Sequence, residues 1–251
     1  MKLQKLKKLK LFKDEKLLNL KKLPFQGFCN INYKLSSSKN NYLVRVFKSS
    51  DSVNISRDFE YKIQKKAWRE KIASKPLYID KKRTFMITQF LDGYHKEALK
   101  KDELKKVIKQ IKKLHKIKTS QKVYDIKKDL KNYFKLLKDK TSKKLIQEAI
   151  KELKKIEKYK KNYVTTHHDL NPKNIIFYKN SVKFIDWEYT GVNDCFFDLA
   201  TICVEFRLDS KMKQLVLKNY FSKIKKEHKI CLNSYIKIYE NICKLWFKTL
   251  K

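Results

Sequence analysis

Arginine, glycine and proline are scarce in this 251-residue sequence. Only five of its 63 basic residues are arginine, and it has three glycines and three prolines. Patches that bind nucleic-acid phosphates usually contain arginine as well as lysine, because the guanidinium group can bind one phosphate through two hydrogen bonds. The formal charge of +37 is carried mainly by lysines at helical spacing, which is typical of solvated helix faces. We therefore predict no specific nucleic-acid partner.

Paired cysteines and long apolar runs are absent as well. The five cysteines are odd in number and form no Cys-x-x-Cys pair, which argues against a disulfide framework or a zinc site and for reduced thiols in a cytoplasmic protein. Lysines interrupt every apolar run near the N-terminus, so we expect neither a signal peptide nor stable membrane insertion. Residues 1–23 allow a basic amphipathic helix, which either packs on its own domain, as we favour, or touches a membrane surface.

The spacing of apolar residues predicts strands first and helices later. In the first part of the chain, the spacing predicts a β-hairpin over 25–48, a helix over 55–73, and strands over 77–79 and 85–90. Beyond Gly93, helices are expected over about 97–118, 125–138 and 142–160, and from about residue 197 to the end. This order predicts an α+β fold with a small β-rich lobe, residues 1–92, and a larger helical lobe, residues 93–251.

The helical part is interrupted by a polar motif within residues 165–191. Asp169 lies two residues after His167 and five before Asn174, and two short apolar runs separated by a turn then lead to Asp186. These runs predict a β-hairpin that delivers Asp186 close to the preceding loop. The alternative, in which the polar residues only cap turns, does not explain why all of these features coincide.

This arrangement is typical of kinase-type phosphoryl transfer, which depends on positioning and on neutralising charge. Asp169 is predicted to accept or orient the proton of an acceptor hydroxyl. Asn174 and Asp186 are predicted to bind Mg²⁺, which prefers hard oxygen ligands. His167 is expected to brace the catalytic loop by hydrogen bonding rather than to react.

The motif resembles the choline/ethanolamine kinase family of the aminoglycoside phosphotransferase superfamily, in its bacterial choline kinase form. The run Asp186-Trp-Glu-Tyr-Thr-Gly-Val-Asn-Asp194, followed by Phe197-Asp198-Leu-Ala200, is similar to the family pattern Asp-[Phe/Trp]-Glu-Tyr-x-Gly-x-Asn. The resemblance covers about residues 24–250 and is strongest over 165–205. It implies a protein-kinase-like bilobal fold and the use of ATP and Mg²⁺.

The resemblance also implies a nucleotide site in the N-terminal lobe. Gly27 and Asn30 would lie in the loop over the phosphates. Arg45 would take the place of the phosphate-binding cation and form an ion pair with Glu60 of the following helix. The hinge, whose backbone would bind the adenine edge, would span Thr88 to Leu91, with Gln89, Phe90 and Leu91 as the nucleotide-binding residues.

Charge and aromatic content indicate a cationic acceptor. Residues 169–209 contain seven acidic and four basic side chains, a net charge of −3 within a strongly basic protein. Aromatic faces attract quaternary ammonium groups, and the candidates are Trp187, Tyr189, Phe206 and Trp246. Taken with the resemblance, the predicted acceptor-binding residues are Glu188, Tyr189, Glu205 and Trp246. Cys243 stands where eukaryotic family members often have a second tryptophan, which leaves choline and ethanolamine both open.

We therefore expect an ATP- and Mg²⁺-dependent phosphotransferase that acts on the hydroxyl of choline or ethanolamine. One alternative is another small-molecule kinase of the same superfamily, acting on an aminoglycoside, an amino alcohol or a sugar. An alternative of a different class is a non-catalytic basic module that binds nucleic acid or a membrane. The intact set of Asp169, Asn174 and Asp186 argues against this last alternative. Oligomeric state is not indicated by the sequence.

Overall fold

A five-stranded sheet precedes a larger group of helices in a computed structural model, which describes residues 1–24, 26, 30–48 and 56–249. The strands are β1 (Leu17–Lys22), β2 (Asn30–Ser37), β3 (Asn41–Phe47), β4 (Pro76–Ile79), β5 (Phe85–Gln89), β6 (Tyr163–Thr166), β7 (Ile175–Tyr178), β8 (Ser181–Phe184) and β9 (Gly191–Asp194). The α-helices are α1 (Leu3–Lys7), α2 (Arg57–Arg69), α3 (Lys101–Leu114), α4 (Ile126–Leu136), α5 (Lys140–Lys155), α6 (Phe196–Glu205), α7 (Ser210–Tyr220) and α8 (Lys226–Thr249). Short 3₁₀ helices occupy Lys10–Phe12 and Pro172–Asn174. The α+β order predicted from the sequence is confirmed.

The N-terminal sheet is antiparallel throughout, in the order β1-β2-β3-β5-β4. One face carries a small apolar core that includes Leu35, Val44, Phe85 and Ile87. Because successive side chains of a strand point to opposite faces, Arg45 projects from the face opposite Val44. The predicted hairpin over 25–48 is present as β2 and β3, and it places Arg45 where it faces the C-terminal part of the chain.

The prediction that residues 1–23 form one amphipathic helix is wrong. Only Leu3–Lys7 is α-helical, and Leu17–Lys22 adds a strand beside β2, with Leu20 opposite Leu35. Leu6, Phe12 and Leu17 are all buried against the sheet. Burial of these side chains and pairing with the free edge of β2 together outweigh the helical preference of a Lys- and Leu-rich segment. The segment packs on its own domain, as we favoured.

Helices α3 to α8 enclose the larger apolar core. Helix α8 packs on both α5 and α6, and helix α7 packs on α3. Side-chain caps explain where two of the predicted helices begin. Asp125 accepts a hydrogen bond from Lys128 N at 3.0 Å and Asp139 accepts one from Ser142 N at 3.0 Å, which satisfies donors at the first turns of α4 and α5. Among the described residues, no helix combines the length and the apolar character needed to cross a membrane.

Two short sheets frame the polar motif. The hairpin of β7 and β8 agrees with the prediction. The pairing of β6 with β9, from Tyr163 opposite Asp194 to Thr166 opposite Gly191, was missed, because each strand has four residues and they are far apart in sequence. This pairing brings both ends of the motif together around its central hairpin.

The connection between β5 and α3 approaches β7 closely. A Cβ atom on Gly93 would lie 2.4 Å from the carbonyl oxygen of Phe177, so a larger residue would have to displace the backbone. Next to it, Tyr94 N donates to Phe177 O at 3.1 Å and Phe177 N donates to Tyr94 O at 2.9 Å. The lobe boundary predicted at residues 92 and 93 falls in this connection and stays a prediction.

Candidate active site

Asp169 lies in the loop between β6 and β7 and contacts two amides. Asn171 Nδ2 donates to its Oδ1 at 2.8 Å, and Asn174 Nδ2 donates to its Oδ2 at 2.7 Å. Asn174 Nδ2 also donates to the backbone oxygen of Asp169 at 2.9 Å. Since the amide nitrogen of Asn174 is used in this way, its side-chain oxygen is left to accept other partners.

The buried environment of Asp169 shifts the pKa of its carboxyl group upward. Burial raises the pKa of Asp169 above its ordinary value, and the negative charges of Glu205 and Glu188 raise it further, while hydrogen bonds from Asn171 and Asn174 lower it. A carboxylate with a raised pKa is a better proton acceptor at neutral pH than a fully solvated one.

Asp186 follows β8 and is held against the same loop. Ile185 N donates to the backbone oxygen of Asn174 at 3.0 Å, which places the two predicted metal ligands on adjacent segments. Asp186 has a φ of 64°, a left-handed conformation that Asp and Asn adopt more readily than most residues. Burial raises the pKa of its carboxyl group, and the positive charge of Arg45 acts against that rise.

Arg45 belongs to a group of charged side chains that we call the charge cluster. Its Nη1 lies 2.7 Å from Glu60 Oε1, so the predicted ion pair is present, and its Nη2 lies 2.7 Å from Asp186 Oδ1. Within this group, side chains of the N-terminal sheet and α2 meet the segment after β8. The cluster consists of Arg45, Arg57, Glu60, Asp186 and Glu188. It joins the two predicted lobes, and we call the region between this cluster and the loop that bears Asp169 the cleft.

Glu188 is placed differently from the prediction that it binds the acceptor. Its side chain is only 4% exposed, and its Oε2 accepts hydrogen bonds from Asn30 Nδ2 at 3.1 Å and from Arg57 Nη1 at 2.8 Å. Asn30, predicted to lie over the phosphates, thus contacts the same carboxylate. These contacts place Glu188 in the charge cluster, on the side formed by the N-terminal sheet, and its role in acceptor binding stays a prediction.

His167 is fully buried behind the loop. Its Nε2 lies 3.0 Å from Ile185 O, and its backbone N–H donates to Asp198 Oδ2 at 2.9 Å. His168 N donates to the other oxygen of Asp198 at 3.0 Å, and His115 Nε2 lies 3.1 Å from Asp198 Oδ2. Asp198 therefore anchors the backbone of the loop, a role that the sequence motif did not indicate. The ring of His167 braces the loop against β8.

The stability of the protein should depend on pH through His167. Burial lowers the pKa of His167 from 6.5 to about 4, so the unfolded state takes up a proton first as the pH falls. The contribution of His167 to the free energy of unfolding is then fully present above about pH 6.5 and is lost progressively toward about pH 4. Between about pH 7.5 and about pH 5.5, His167 should account for a loss of about 1 kcal/mol in the free energy of unfolding.

Urea denaturation at both pH values would measure this contribution. In the His167→Gln variant, which keeps a donor toward Ile185, the loss between the two pH values should be smaller than in the wild type by that amount. An identical loss in both proteins would show that His167 does not titrate between the folded and unfolded states.

The predicted nucleotide-binding residues near the hinge differ in whether their backbone N–H groups are available to a ligand. Gln89 N donates to Lys75 O at 2.9 Å and Phe90 N donates to Asn41 O at 3.1 Å. These two N–H groups are engaged within the protein, so Leu91 and the carbonyl groups stay candidates for the adenine edge. Gly27 lies outside the described residues.

The predicted acceptor residue Glu205 lies at the end of α6, close enough to Asp169 for its charge to affect that carboxyl group. Tyr239 of α8 donates its hydroxyl hydrogen to Glu205 Oε1 at 2.9 Å. Cys243 and Trp246 follow on α8, and burial raises the pKa of the Cys243 thiol to about 11. The carboxylate of Glu205 and the hydroxyl of Tyr239 thus meet close to Asp169.

Two of the four aromatic candidates do not present a face to the cleft. Trp187 is 0% exposed and donates from its indole nitrogen to Phe184 O at 3.2 Å, and Phe206 is 5% exposed. The prediction that these two residues are available to bind an ammonium group is wrong, since both complete the core of the C-terminal part. Tyr189 and Trp246 are half-buried. The backbone oxygen of Tyr189 faces His168 Nδ1 at 2.9 Å.

The donor groups of Asn174 and Asp186 suit Mg²⁺ by their chemistry, because both offer oxygen atoms. Among the described residues, no three His, Cys, Asp or Glu side chains form a preformed metal site. In phosphotransferases, Mg²⁺ is usually bound by one or two protein carboxylates together with the phosphates of the substrate.

Comparison with known proteins identifies similar sequences and folds. A model of the choline/ethanolamine kinase family matches residues 25–248. The LicA protein of Haemophilus influenzae is 25% identical over 224 residues, which cover 82% of this chain and 65% of LicA. The chain thus spans just under two thirds of the length of that relative.

Solved structures show the same fold at low sequence identity. Choline kinase LicA from Streptococcus pneumoniae superposes with a TM-score of 0.77 at 19% identity, covering 92% of this chain and 85% of that one. A spectinomycin phosphotransferase in complex with ADP and spectinomycin superposes with a TM-score of 0.72 at 14% identity, covering 99% and 88%. The fold is therefore that of these kinases.

Proposed function

Because the chain belongs to the choline/ethanolamine kinase family, we propose that it transfers the γ-phosphoryl group of ATP to the hydroxyl of choline or ethanolamine. The convergence of Asp169, Asn174 and Asp186 with Arg45 in one cleft carries the proposal. The contacts of His167 and Asp198 restrain the loop that bears Asp169. Phosphoryl transfer depends on such positioning of the reacting groups.

Each residue of the set has a distinct part in the proposed reaction. Asp169 accepts the proton of the acceptor hydroxyl as the oxygen attacks, and its raised pKa suits that step. Arg45 would bind phosphate oxygens, and Asn174 and Asp186 would hold Mg²⁺. When bound, Mg²⁺ supplies neutralisation of charge on the phosphates. His167 and Asp198 keep the loop in place.

The acceptor side of the cleft supports a cationic substrate. Glu205 offers a negative charge near Asp169, and Tyr239 is hydrogen-bonded to it. Trp246, one turn after Cys243 on α8, is the proposed aromatic face for the ammonium group. The presence of Cys243 in place of a second tryptophan leaves choline and ethanolamine as competing substrates.

A screen of ATP consumption by the purified full chain would test the proposal. Choline, ethanolamine, an aminoglycoside and a simple sugar would each be supplied with ATP and Mg²⁺. Turnover with choline or ethanolamine is expected. Turnover with the aminoglycoside or the sugar alone would instead support another small-molecule kinase of the superfamily. Salt-sensitive binding of DNA or anionic lipid without any turnover would support the non-catalytic module.

Removing the charge of Glu205 should weaken acceptor binding specifically. In the Glu205→Gln variant we expect the KM for choline to rise about tenfold, equivalent to about 1.4 kcal/mol, because the side chain can still accept from Tyr239 but no longer attracts an ammonium group. The KM for ATP should not change. Glu227→Gln, which alters an exposed carboxylate of α8, is the matched control.

An uncharged isostere of choline gives a second measurement for the same prediction. The wild type should prefer choline over the isostere more strongly than Glu205→Gln does. Equal preference in the two proteins would contradict the assignment of Glu205 to the ammonium group.

We also propose a cytoplasmic location. The use of ATP and the free thiols of the described cysteines, Cys195, Cys203, Cys231 and Cys243, both support it.

A further inference from the structure

Arg57, the first residue of α2, joins the charge cluster although no motif in the sequence indicated it. Its side chain is 11% exposed. Its Nη1 lies 2.7 Å from Glu60 Oε2 and 2.8 Å from Glu188 Oε2. Its guanidinium carbon lies 4.1 Å from the centre of the Phe47 ring, within the range of a cation–π contact. Arg57 is therefore held by two carboxylates and by one aromatic face.

The charges of the cluster explain why a second arginine is needed. Arg45 alone is shared among Glu60, Asp186 and Glu188, at 2.7, 2.7 and 3.4 Å. With Arg57, two positive groups face three negative ones. Without it, a single guanidinium would have to balance three partly or fully buried carboxylates, and it would be drawn toward Glu60 and Glu188. Arg45 would then be less available to a phosphate.

The scarcity of arginine in this chain makes the presence of arginine at position 57 informative. Five of 63 basic residues are arginine, and two of those five, Arg45 and Arg57, meet in this cluster. A lysine ammonium group is a compact charge that cannot stack on an aromatic ring and bridge two carboxylates as a planar guanidinium does. Arginine at position 57 therefore points to a geometric requirement and not only to a need for charge.

We propose that Arg57 is a positioning residue that neutralises Glu60 and Glu188, and so keeps Arg45 aimed at the triphosphate of the nucleotide. This inference rests on the proposed function for the identity of the ligand. It adds a role for a side chain that does not itself touch the nucleotide and that acts through its two carboxylate partners.

Isothermal titration calorimetry of ATP binding by the full chain would test the inference, with Mg²⁺ and separately with excess EDTA. Arg57→Met should weaken ATP binding at least about tenfold in both conditions, the range typical of lost supporting contacts. Arg83→Met is the matched control. Arg83 pairs with Asp58, the residue after Arg57 in α2, at 2.7 Å, but its side chain is 40% exposed. The control should bind ATP as the wild type does.

Two further variants distinguish positioning from a general loss of structure. In a Glu188→Gln background, where less negative charge needs to be balanced, the effect of Arg57→Met on ATP binding should shrink. Arg57→Lys should fold and bind ATP with intermediate affinity, because an ammonium group keeps the charge but not the geometry. This variant decides the question if Arg57→Met does not fold. Steady-state kinetics should show a rise in the KM for ATP and no change in the KM for the acceptor.

The inference is overturned if Arg57→Met, or Arg57→Lys in its place, binds ATP with wild-type affinity. It is also overturned if KM rises equally for both substrates, or if the Glu188→Gln background leaves the effect unchanged. Failure of the proposed function is a separate result: a wild type that binds ATP but phosphorylates no tested acceptor would refute that proposal, while the binding comparison would still test Arg57.

Discussion

The Asp169→Ala variant should bind Mg²⁺-ATP but should lose almost all turnover. Asp169 is the proposed acceptor of the hydroxyl proton, and removal of a general base typically lowers kcat by about 10²- to 10⁴-fold. Its carboxylate accepts hydrogen bonds from Asn171 and Asn174, whereas nucleotide binding is assigned to other residues, so ATP binding should persist. Single-turnover kinetics, together with calorimetry of nucleotide binding, would separate the chemical step from binding.

A control is needed because the substitution also removes a partner of Asn174. Asn171→Ala deletes the other hydrogen bond to Asp169 but leaves the carboxylate in place. This control should keep most of the activity. Near-normal kcat in Asp169→Ala would refute the assignment of the base, and an equal loss in the control would indicate that loop geometry matters more than the carboxylate.

The Asp186→Asn variant should lose most of the benefit that Mg²⁺ gives to ATP binding. Asparagine matches the shape of aspartate and tolerates the left-handed backbone at this position, so the change mainly removes charge from a proposed metal ligand. We expect the ratio of ATP affinities with Mg²⁺ and with EDTA to fall at least about tenfold, and kcat to fall as well.

The measurement in EDTA serves as an internal control for this variant. Without a metal, removal of a negative charge beside the phosphates should leave ATP binding unchanged or make it stronger. An unaltered ratio of the two affinities would count against Asp186 as a metal ligand. A cooperative melting curve for the variant would show that the loss of the contact with Arg45 has not unfolded the protein.

Features that depend on neighbouring residues were predictable from the sequence. The hairpin of β7 and β8 and the buried face of α2, with Ile63 and Ala67, follow from apolar spacing over a few residues. The relation of Asp169 to Asn174 was equally local. The predicted pairing of Arg45 with Glu60, which the structure contains, came instead from family resemblance.

Contacts between distant parts of the chain could not be read in the same way. Arg57 meets Glu188 across 131 positions, and nothing in the spacing of either residue indicates that contact. The pairing of β6 with β9 and the burial of Trp187 also depend on tertiary packing. The scarcity of arginine was the one available signal for Arg57, since each arginine in a lysine-rich chain is a candidate for a specific geometric role.

The added strand β1 affects how the protein can be shortened for experiments. The family match begins at residue 25, so trimming the chain to the matched region deletes β1 together with Leu6 and Phe12. That deletion uncovers Leu35 and exposes the backbone N–H and C=O groups of β2. An open strand edge beside a bare apolar surface is a template for intermolecular strand addition, so the trimmed protein should self-associate and be poorly soluble.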